Sequence, residues 1–291
     1  MLVRLLPWYD RTGHFSALRL AVFAAVLAPA LWLVIATFEH ALGPRPDTEA
    51  IHQTGLWAVR FLAVTLAVTP LRYATRFNRL AGLRRMLGLS VLFYALLHLG
   101  LYGLSLHGNL PRIASEIVLR LYLTIGFVAF CGLVALGVTS TDAMIRRLGA
   151  QRWGLLHKTV YVIAALGTVH FFMQSKLDVS EPIIMAGIFA LLLAERLSRR
   201  LVGDLSVPAQ CALAGAAALA TAGGEALWYS HKTSAPILMI LSANLDFSYT
   251  VRPAWYVLAA GAVLVIARLA RPLFVGAVRR PTGRLRPVAA E

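Results

Sequence analysis

The sequence predicts an all-α membrane protein, a polytopic helix bundle of about eight transmembrane helices with both termini in the cytoplasm. Composition is the first reason: 59% of the 291 residues are hydrophobic, 14% are charged and the mean hydropathy is +0.71. An average soluble domain is about 25% charged. The second reason is a series of apolar runs of about twenty residues, enough to cross a hydrocarbon core of about 30 Å. They should cross as helices, because lipid offers the backbone no hydrogen-bond partners.

Eight such runs are predicted to span the membrane. The first should be a retained helix, because charged residues precede it and no small-residue cleavage site follows it. From about residue 204 the chain is richer in Ala and Gly, so we expect a six-helix unit at 1–203. A second unit at 204–291 should add two helices and a basic cytoplasmic tail. The predicted spans are 17–37, 55–71, 86–105, 118–138, 155–173, 181–198, 207–227 and 254–274.

The charge of the loops alternates along the chain and gives the orientation. One set holds most of the 28 Lys and Arg residues: the N-terminus, 72–85, 139–158, 195–204 and the tail from Arg268. Cytoplasmic loops carry such an excess, which places both termini in the cytoplasm. The other set holds five Lys and Arg against seven acidic residues, at 38–54, 105–117, 174–181 and 228–253.

The net charge of +15 therefore reflects topology and contact with anionic lipid rather than nucleic acid. A nucleic-acid-binding protein would need an ordered basic domain, and the loops are too short to form one. The sequence also has no GxGxxG or Walker-type loop, which argues against a dinucleotide-binding domain.

Three histidines lie inside apolar runs, where ionisable residues are costly and indicate function. His98 follows Arg85 by 13 residues and His170 follows Lys158 by 12. At 1.5 Å per residue both imidazoles should lie roughly 18–20 Å above the cytoplasmic edge, on two parallel helices. This arrangement predicts a haem held between two helices by a histidine pair. The alternative is that the two side chains only hydrogen-bond the helices together.

Small and aromatic residues beside these histidines suit a flat macrocycle. Gly100 and Gly103 follow His98, and Gly167 and Phe171 flank His170.

His157 should lie about 20 Å below His170, near the cytoplasmic face. A second haem there would complete a path across the membrane. However, span three offers no histidine at that depth, so the partner would be a water or a residue from elsewhere. The alternative is an interfacial histidine bonded to lipid or backbone.

Three arginines are candidates for binding haem propionates. Arg60 lies about one turn inside the outer end of span two, where it either pairs with a propionate of the outer haem or extends to the interface. Arg84 and Arg85 could bind the propionates of an inner haem. They are also the ordinary cationic anchor of a cytoplasmic loop.

Three stretches resemble the MsrQ (YedZ) family, the haem-binding membrane subunits of the periplasmic protein-methionine-sulfoxide reductase system, within the ferric-reductase-like transmembrane group. They cover spans two to five, and the last is the most specific, with its Thr-Ser-Thr turn, basic segment, Trp and two histidines. One departure is Arg120-Leu121-Tyr122, where the family has Arg-Pro-Tyr. The stretches are TGLWAVRFLAVTLAVTPLR at 54–72, LRRMLGLSVLFYALLHLGLYG at 83–103 and TSTDAMIRRLGAQRWGLLHKTVYVIAALGTVHFF at 139–172.

The resemblance implies that His98, His157 and His170 are haem-ligand histidines and that the cofactor is haem b, one or two per chain. It also implies FMN, for which no sequence motif is visible. The expected role is electron transfer in a bacterial inner membrane. The donor would be the quinone pool or a cytoplasmic flavin reductase, and the acceptor a periplasmic molybdenum-cofactor methionine-sulfoxide reductase (MsrP-like). The chain would be an electron-transfer subunit rather than the catalytic subunit.

Two other functions compete with this one. A stand-alone ferric reductase or a b561-like quinol-oxidising cytochrome b commonly has two complete histidine pairs, and only one is evident here. A haem-free transporter would require acidic partners at the depth of the histidines, and spans three and five contain none.

Overall fold

The computed structural model describes residues 6–9, 13–176 and 178–273. This part of the chain is built from α-helices and short 3-10 turns and has no β-sheet, which confirms the predicted fold class. The 3-10 turns are Asn78–Leu83 and Ala243–Leu245. The helices are α1 Ala17–Phe38, α2 Pro46–Thr75, α3 Arg84–Ser105, α4 Leu110–Leu119, α5 Leu121–Val138, α6 Asp142–Leu148, α7 Ala150–His157, α8 Val160–Gln174, α9 Ser180–Val202, α10 Val207–Thr233, α11 Ile237–Ser242 and α12 Pro253–Leu269.

Six helical segments of the described chain are long and apolar enough to cross a membrane. The other two predicted spans coincide with α9, which has 23 residues and a charged C-terminal end, and α12, which has 17. Crossing by these two, and the cytoplasmic placement of the termini, stay predictions. Residue 274 and the basic tail after it lie outside the described residues. The six segments are Ala17–Phe38, Pro46–Thr75, Asn78–Ser105, Leu121–Val138, Ala150–Gln174 and Val207–Thr233.

Three stretches predicted as loops contain short helices, and one of them, 228–253, holds α11. Residues 110–119 form α4, whose first turn is capped by the Asn109 side chain accepting from the Arg112 N–H. The backbone is then extended at Arg120, so the next helix begins at Leu121, three residues later than predicted. The stretch 139–158 holds α6 and α7, which are separated at Gly149 by a positive φ of 78°.

One buried tyrosine of α3 forms hydrogen bonds with the backbone of α1. The hydroxyl of Tyr94 donates to the Val26 carbonyl at 2.8 Å and accepts from the Ala30 N–H at 3.0 Å. In a regular helix those two backbone groups would bond to each other, but Pro29 lies inside this turn. A side chain inserted beside a proline is a recognised cause of local opening in a helix.

Helices α9, α10 and α12 pack against one another at glycines. A Cβ on Gly187 of α9 would lie 2.4 Å from the Thr221 hydroxyl oxygen and 2.6 Å from Val257. A Cβ on Gly261 of α12 would lie 2.4 Å from the Cβ of Ala214. Close approach of helix backbones at small residues is typical of membrane bundles. The added C-terminal helices are therefore packed tightly onto the rest of the bundle.

Ion pairs reinforce this packing at both ends. Between α9 and α10, Asp204 accepts from Arg199 at 2.6 Å and from Arg268 of α12 at 3.1 Å. Partial burial acts to raise the pKa of the Asp204 carboxyl, but the hydrogen bonds and charges of the two arginines outweigh it and lower the pKa below its ordinary value. At the opposite end, the fully buried Glu225 lies 3.3 Å from Arg252.

The glycine contact at α12 can be tested by replacing glycine with alanine at the contact and, as a control, at a position outside it. Gly261→Ala should lower the melting temperature of the detergent-purified protein, because overpacking costs roughly 1–3 kcal/mol. Gly223→Ala on α10 is the matched control, since a Cβ there meets nothing within 4 Å. It should leave the melting temperature unchanged or raise it, because Gly costs a helix interior about 0.5–1 kcal/mol relative to Ala. Shifts of the same sign and size would show that the contact is absent.

Candidate functional site

The structure brings His98 of α3 and His170 of α8 together. Their ring centres are 6.3 Å apart and the ring planes are inclined by 83°. The histidines are 72 positions apart in the chain, and both lie inside segments long and apolar enough to cross a membrane. The common depth inferred from residue counting is therefore matched by their contact in space.

Each ring is oriented by a hydrogen bond to the main chain of another helix. Nδ1 of His98 lies 2.8 Å from the Ile51 carbonyl oxygen of α2, and Nδ1 of His170 lies 2.7 Å from the Tyr122 carbonyl oxygen of α5. A carbonyl oxygen only accepts, so Nδ1 carries the proton in both rings. The lone pair that can bind a metal is then on Nε2. Metal-binding histidines commonly donate their second N–H in this way, which fixes the ring and raises its basicity.

A glycine one helical turn after each acceptor makes these bonds possible. Gly55 follows Ile51 by four positions and Gly126 follows Tyr122 by four. Helix side chains lean toward the N-terminus, so the residue at i+4 covers the carbonyl of residue i. A Cβ on Gly55 would lie 2.9 Å from Nδ1 of His98, and one on Gly126 would lie 2.7 Å from Nδ1 of His170. Both histidines therefore reach the helix backbone only across a glycine.

The glycines on the histidine helices themselves do not contact the imidazoles, and their suitability for the approach of a macrocycle stays a prediction. A Cβ on Gly100 or Gly167 would meet nothing within 4 Å, and one on Gly103 would meet only Ile113. The glycines in contact with the imidazoles lie on the partner helices α2 and α5. A glycine inside an apolar span is a signal of close helix approach, but the sequence does not say which side chain approaches it.

The pair of imidazoles fits an iron with a histidine on each side. With metal–nitrogen bonds of about 2 Å and half of each ring added, the ring centres of two such ligands lie roughly 6 Å apart. A bare metal ion normally needs three or four protein ligands, and the described residues contain no group of three His, Cys, Asp or Glu placed to bind one. Two axial nitrogens suffice for haem, because the porphyrin supplies the others.

His157 lies in a different environment at the end of α7. Its ring stacks on Trp153 with centres 3.9 Å apart, and Nδ1 faces the Trp153 carbonyl at 3.1 Å. Nε2 is 3.4 Å from the hydroxyl oxygen of Ser140, a long hydrogen bond. Trp153 in turn donates from its indole nitrogen to the Thr139 carbonyl at 2.9 Å. These contacts explain the spacing of the Thr-Ser-Thr turn, the Trp and the His, and they bring no second histidine to His157.

The outer arginine is paired with a carboxylate of the protein. Arg60 donates to Glu181 of α9 at 2.7 Å, and its guanidinium lies 5.1 Å from the centre of the Trp57 ring. Both side chains of the pair are about a third exposed. They lie at the polar end of a cavity of about 780 Å³ between α2, α9 and α12. Propionate binding by Arg60 stays a prediction.

The two arginines at the start of α3 point to different partners. Arg84 donates to the hydroxyl of Thr69 on α2 at 2.8 Å and lines a basic cavity. Arg85 forms an ion pair with Asp142, the first residue of α6. Asp142 follows by two positions the Ser140 that contacts His157, and binding of an inner propionate by either arginine stays a prediction.

Comparison with known proteins identifies the family to which this chain is similar. Residues 54–168 match the family described as ferric reductase like transmembrane component, and this stretch includes His98, His157, Gly55 and Gly126 but ends before His170. No solved structure matches the chain.

Several curated relatives carry the name protein-methionine-sulfoxide reductase heme-binding subunit MsrQ. One from Xanthomonas campestris pv. campestris (strain B100) is 47% identical over 192 residues, which is 64% of this chain and 88% of the relative. One from Xanthomonas oryzae pv. oryzae (strain MAFF 311018) is 44% identical over 62% of this chain and 85% of the relative. One from Polaromonas naphthalenivorans (strain CJ2) is 43% identical over 60% and 81% respectively.

The two glycines beside the imidazoles give a test of the site that leaves every ligand in place. Gly55→Ala and Gly126→Ala should each lower haem retention by about tenfold or more, the usual effect of disturbing a partner of a metal-binding histidine. Haem retention is measured as the ratio of Soret to protein absorbance after purification and dilution. Gly88→Ala on α3 is the control, since a Cβ there meets nothing within 4 Å. Equal retention in all three variants would contradict the proposed orientation of the rings.

Proposed function

Because the chain belongs to the family of protein-methionine-sulfoxide reductase heme-binding subunits, we propose that it passes electrons through the membrane to a periplasmic methionine-sulfoxide reductase. Family membership makes it a multi-pass membrane protein with a haem-dependent electron-transfer role. The observation that supports the proposal most directly is the facing pair of His98 and His170. The reductase would be an MsrP-like molybdenum-cofactor enzyme, and the membrane the bacterial inner membrane.

The proposed cofactor is haem b, which the imidazoles of His98 and His170 would hold. When bound, it supplies a one-electron carrier inside the bilayer. The protein's contribution is to hold two neutral imidazoles with Nε2 available. The carbonyls of Ile51 and Tyr122 accept the Nδ1 protons and so increase the basicity of the ligating nitrogens, which is a recognised means of tuning a metal centre.

A second haem at His157 and an FMN are the finer parts of the proposal, and both follow from the family resemblance. For the second haem, the support is that Nδ1 of His157 also faces a carbonyl oxygen, so that its lone pair is on Nε2. The 3.4 Å contact of Nε2 with Ser140 is long enough to be replaced at small cost.

The proposed path runs from the basic end of the bundle to the opposite end. His98 lies 14 residues beyond Arg84, which is about 21 Å along α3. The donor, quinol or a cytoplasmic flavin reductase, would deliver electrons from the membrane or the basic side. The pair of His98 and His170 then lies closer to the side on which the reductase would dock. In this proposal the chain transfers electrons only, and the reductase acts on methionine sulfoxide.

The haem assignment is tested by the reduced-minus-oxidised visible spectrum of the purified protein. The wild type should show a b-type band, and His98→Ala and His170→Ala should each abolish the signal of the shared haem. His231→Ala at the exposed end of α10 is the control and should leave the spectrum unchanged.

His157→Ala separates one haem from two. We expect the haem content per chain to fall by about half, with the signal of the His98–His170 haem retained. A haem content unchanged in His157→Ala would eliminate the second haem. A haem content and spectrum unchanged in both His98→Ala and His170→Ala would refute the first.

The partner is tested by coupling the protein to the reductase in vesicles. With a reductant and an MsrP-like catalytic subunit, methionine sulfoxide should be consumed only when this chain is present. His98→Ala should reduce consumption to the level without the chain, because the electron path is interrupted. Reduction of a ferric chelate in the absence of the reductase, at the rate at which methionine sulfoxide is consumed in its presence, would favour a stand-alone ferric reductase instead.

A further inference from the structure

A second cavity lies at the basic end of the bundle, where α2 ends, α3 begins and α9 ends. Its volume is about 700 Å³, within the range of about 300–1,000 Å³ that holds whole small molecules. Two carboxylates, from Glu195 and Asp204, also line it. The cavity is lined by six arginines, Arg72, Arg76, Arg84, Arg196, Arg199 and Arg200.

The protein's own acceptors do not satisfy these guanidinium groups. Glu195 accepts a hydrogen bond from Arg199 at 2.5 Å. Asp204 forms ion pairs with Arg199, with Arg268 of α12 and with Arg271 just after that helix. Among the described residues, one buried guanidinium nitrogen of each of four lining arginines has no hydrogen-bond partner, and neither does Oε2 of Glu195; the arginines are Arg72, Arg84, Arg196 and Arg199. Unpaired buried donors and uncompensated charge both cost free energy. An anion in the cavity would offset that cost.

Tyrosine rings hold several of these arginines in place. The guanidinium of Arg72 lies 4.7 Å from the centre of the Tyr73 ring, and that of Arg199 lies 5.1 Å from the same centre. The guanidinium of Arg196 lies 5.5 Å from the Tyr161 ring centre. Guanidinium groups stacked on aromatic faces are oriented by the ring and keep their N–H edges available for other acceptors. The cluster is thus organised before any ligand arrives.

We propose that this cavity, lined by Arg72, Arg76, Arg84, Arg196, Arg199 and Arg200, binds the phosphate group of a phosphate-bearing molecule. Arginine forks match phosphate oxygens in pairs of charge-assisted hydrogen bonds. The cavity is far larger than a phosphate group alone, so the remainder of the ligand lies inside it or at its mouth. The proposal does not depend on the haem or on the electron-transfer role, and with FMN as the ligand it gives the FMN of the proposed function a site.

Two sources of phosphate have access to a cavity at this end of a membrane protein, a soluble phosphate monoester and an anionic lipid headgroup. In the first arm of the experiment, protein freed of lipid is titrated with FMN and with riboflavin, which lacks the phosphate, and binding is followed by flavin fluorescence. In the second arm, protein in vesicles of phosphatidylglycerol and phosphatidylcholine in equal parts is extracted, and the co-purified lipid is compared with that from phosphatidylcholine alone.

The variants are chosen to separate a site from general positive charge. Arg72→Gln with Arg84→Gln should weaken binding by about tenfold or more, because two charge-assisted contacts are lost. Arg76→Gln with Arg200→Gln should act in the same direction and alters two exposed side chains, so a folding defect is not expected. Arg79→Gln is the control, since Arg79 is exposed and lies outside the cavity lining.

Each outcome decides the proposal. Tighter binding of FMN than riboflavin, lost in the cavity variants, supports a soluble phosphate ester. Selective retention of phosphatidylglycerol, lost in the same variants, supports a lipid headgroup. The proposal is overturned if neither probe binds, if the cavity variants bind like the wild type, or if Arg79→Gln is as damaging as they are. The b-type spectrum is recorded in parallel, so that failure of the haem assignment is seen separately.

Discussion

The histidine pair depends on backbone carbonyls that already belong to helices. Inside lipid, every carbonyl must be bonded within the protein, and a helix satisfies this by itself. The Nδ1–H groups of His98 and His170 donate to the second lone pair of such carbonyls. A side chain one helical turn after the carbonyl would block the approach of the imidazole. Gly55 and Gly126 remove that obstacle. In both helix pairs, α2 with α3 and α5 with α8, a glycine on one helix therefore lets an imidazole from the other bond to a carbonyl. The relative position of the two pairs sets the 6.3 Å separation of the ring centres.

In the part of the chain that the structure describes, several charged side chains are neutralised by a local partner, and one group of arginines is an exception. Asp204 and Glu225 neutralise arginines at opposite ends of the added helices, and Glu181 does so for Arg60. The basic end of α2, α3 and α9 is different, because its arginines exceed the nearby carboxylates. Like charges collected around one cavity raise its potential and favour an anion. The exception is thus better explained by a ligand than by folding.

Helix positions could be predicted where long apolar stretches dominate, as for α1 and α10, because burial in lipid outweighs local preferences. Helix α2 begins at Pro46, nine residues before the predicted start. The prediction was poorer where polar and apolar residues mix. α4 was assigned to a loop, since ten amphipathic residues flanked by Asn109 and Arg120 give a weak signal by period alone. Likewise Gly149 divides two short helices that were expected to form one loop. Even so, α5 begins at Leu121 without the proline that the family carries there, because the extended backbone at Arg120 ends the preceding helix.

By itself, the sequence determined that the chain is a helical membrane bundle and that His98 and His170 lie at one depth, since hydropathy and residue counting both act along the chain. The tertiary structure alone decided which atoms of other helices touch the imidazoles. It also decided that Arg60 pairs with Glu181 across 121 positions and that Arg84 joins a cluster drawn from α2, α3 and α9. Those contacts depend on how helices rotate and pack against one another. Packing is fixed by the summed shape of many side chains, which no local pattern in the chain encodes.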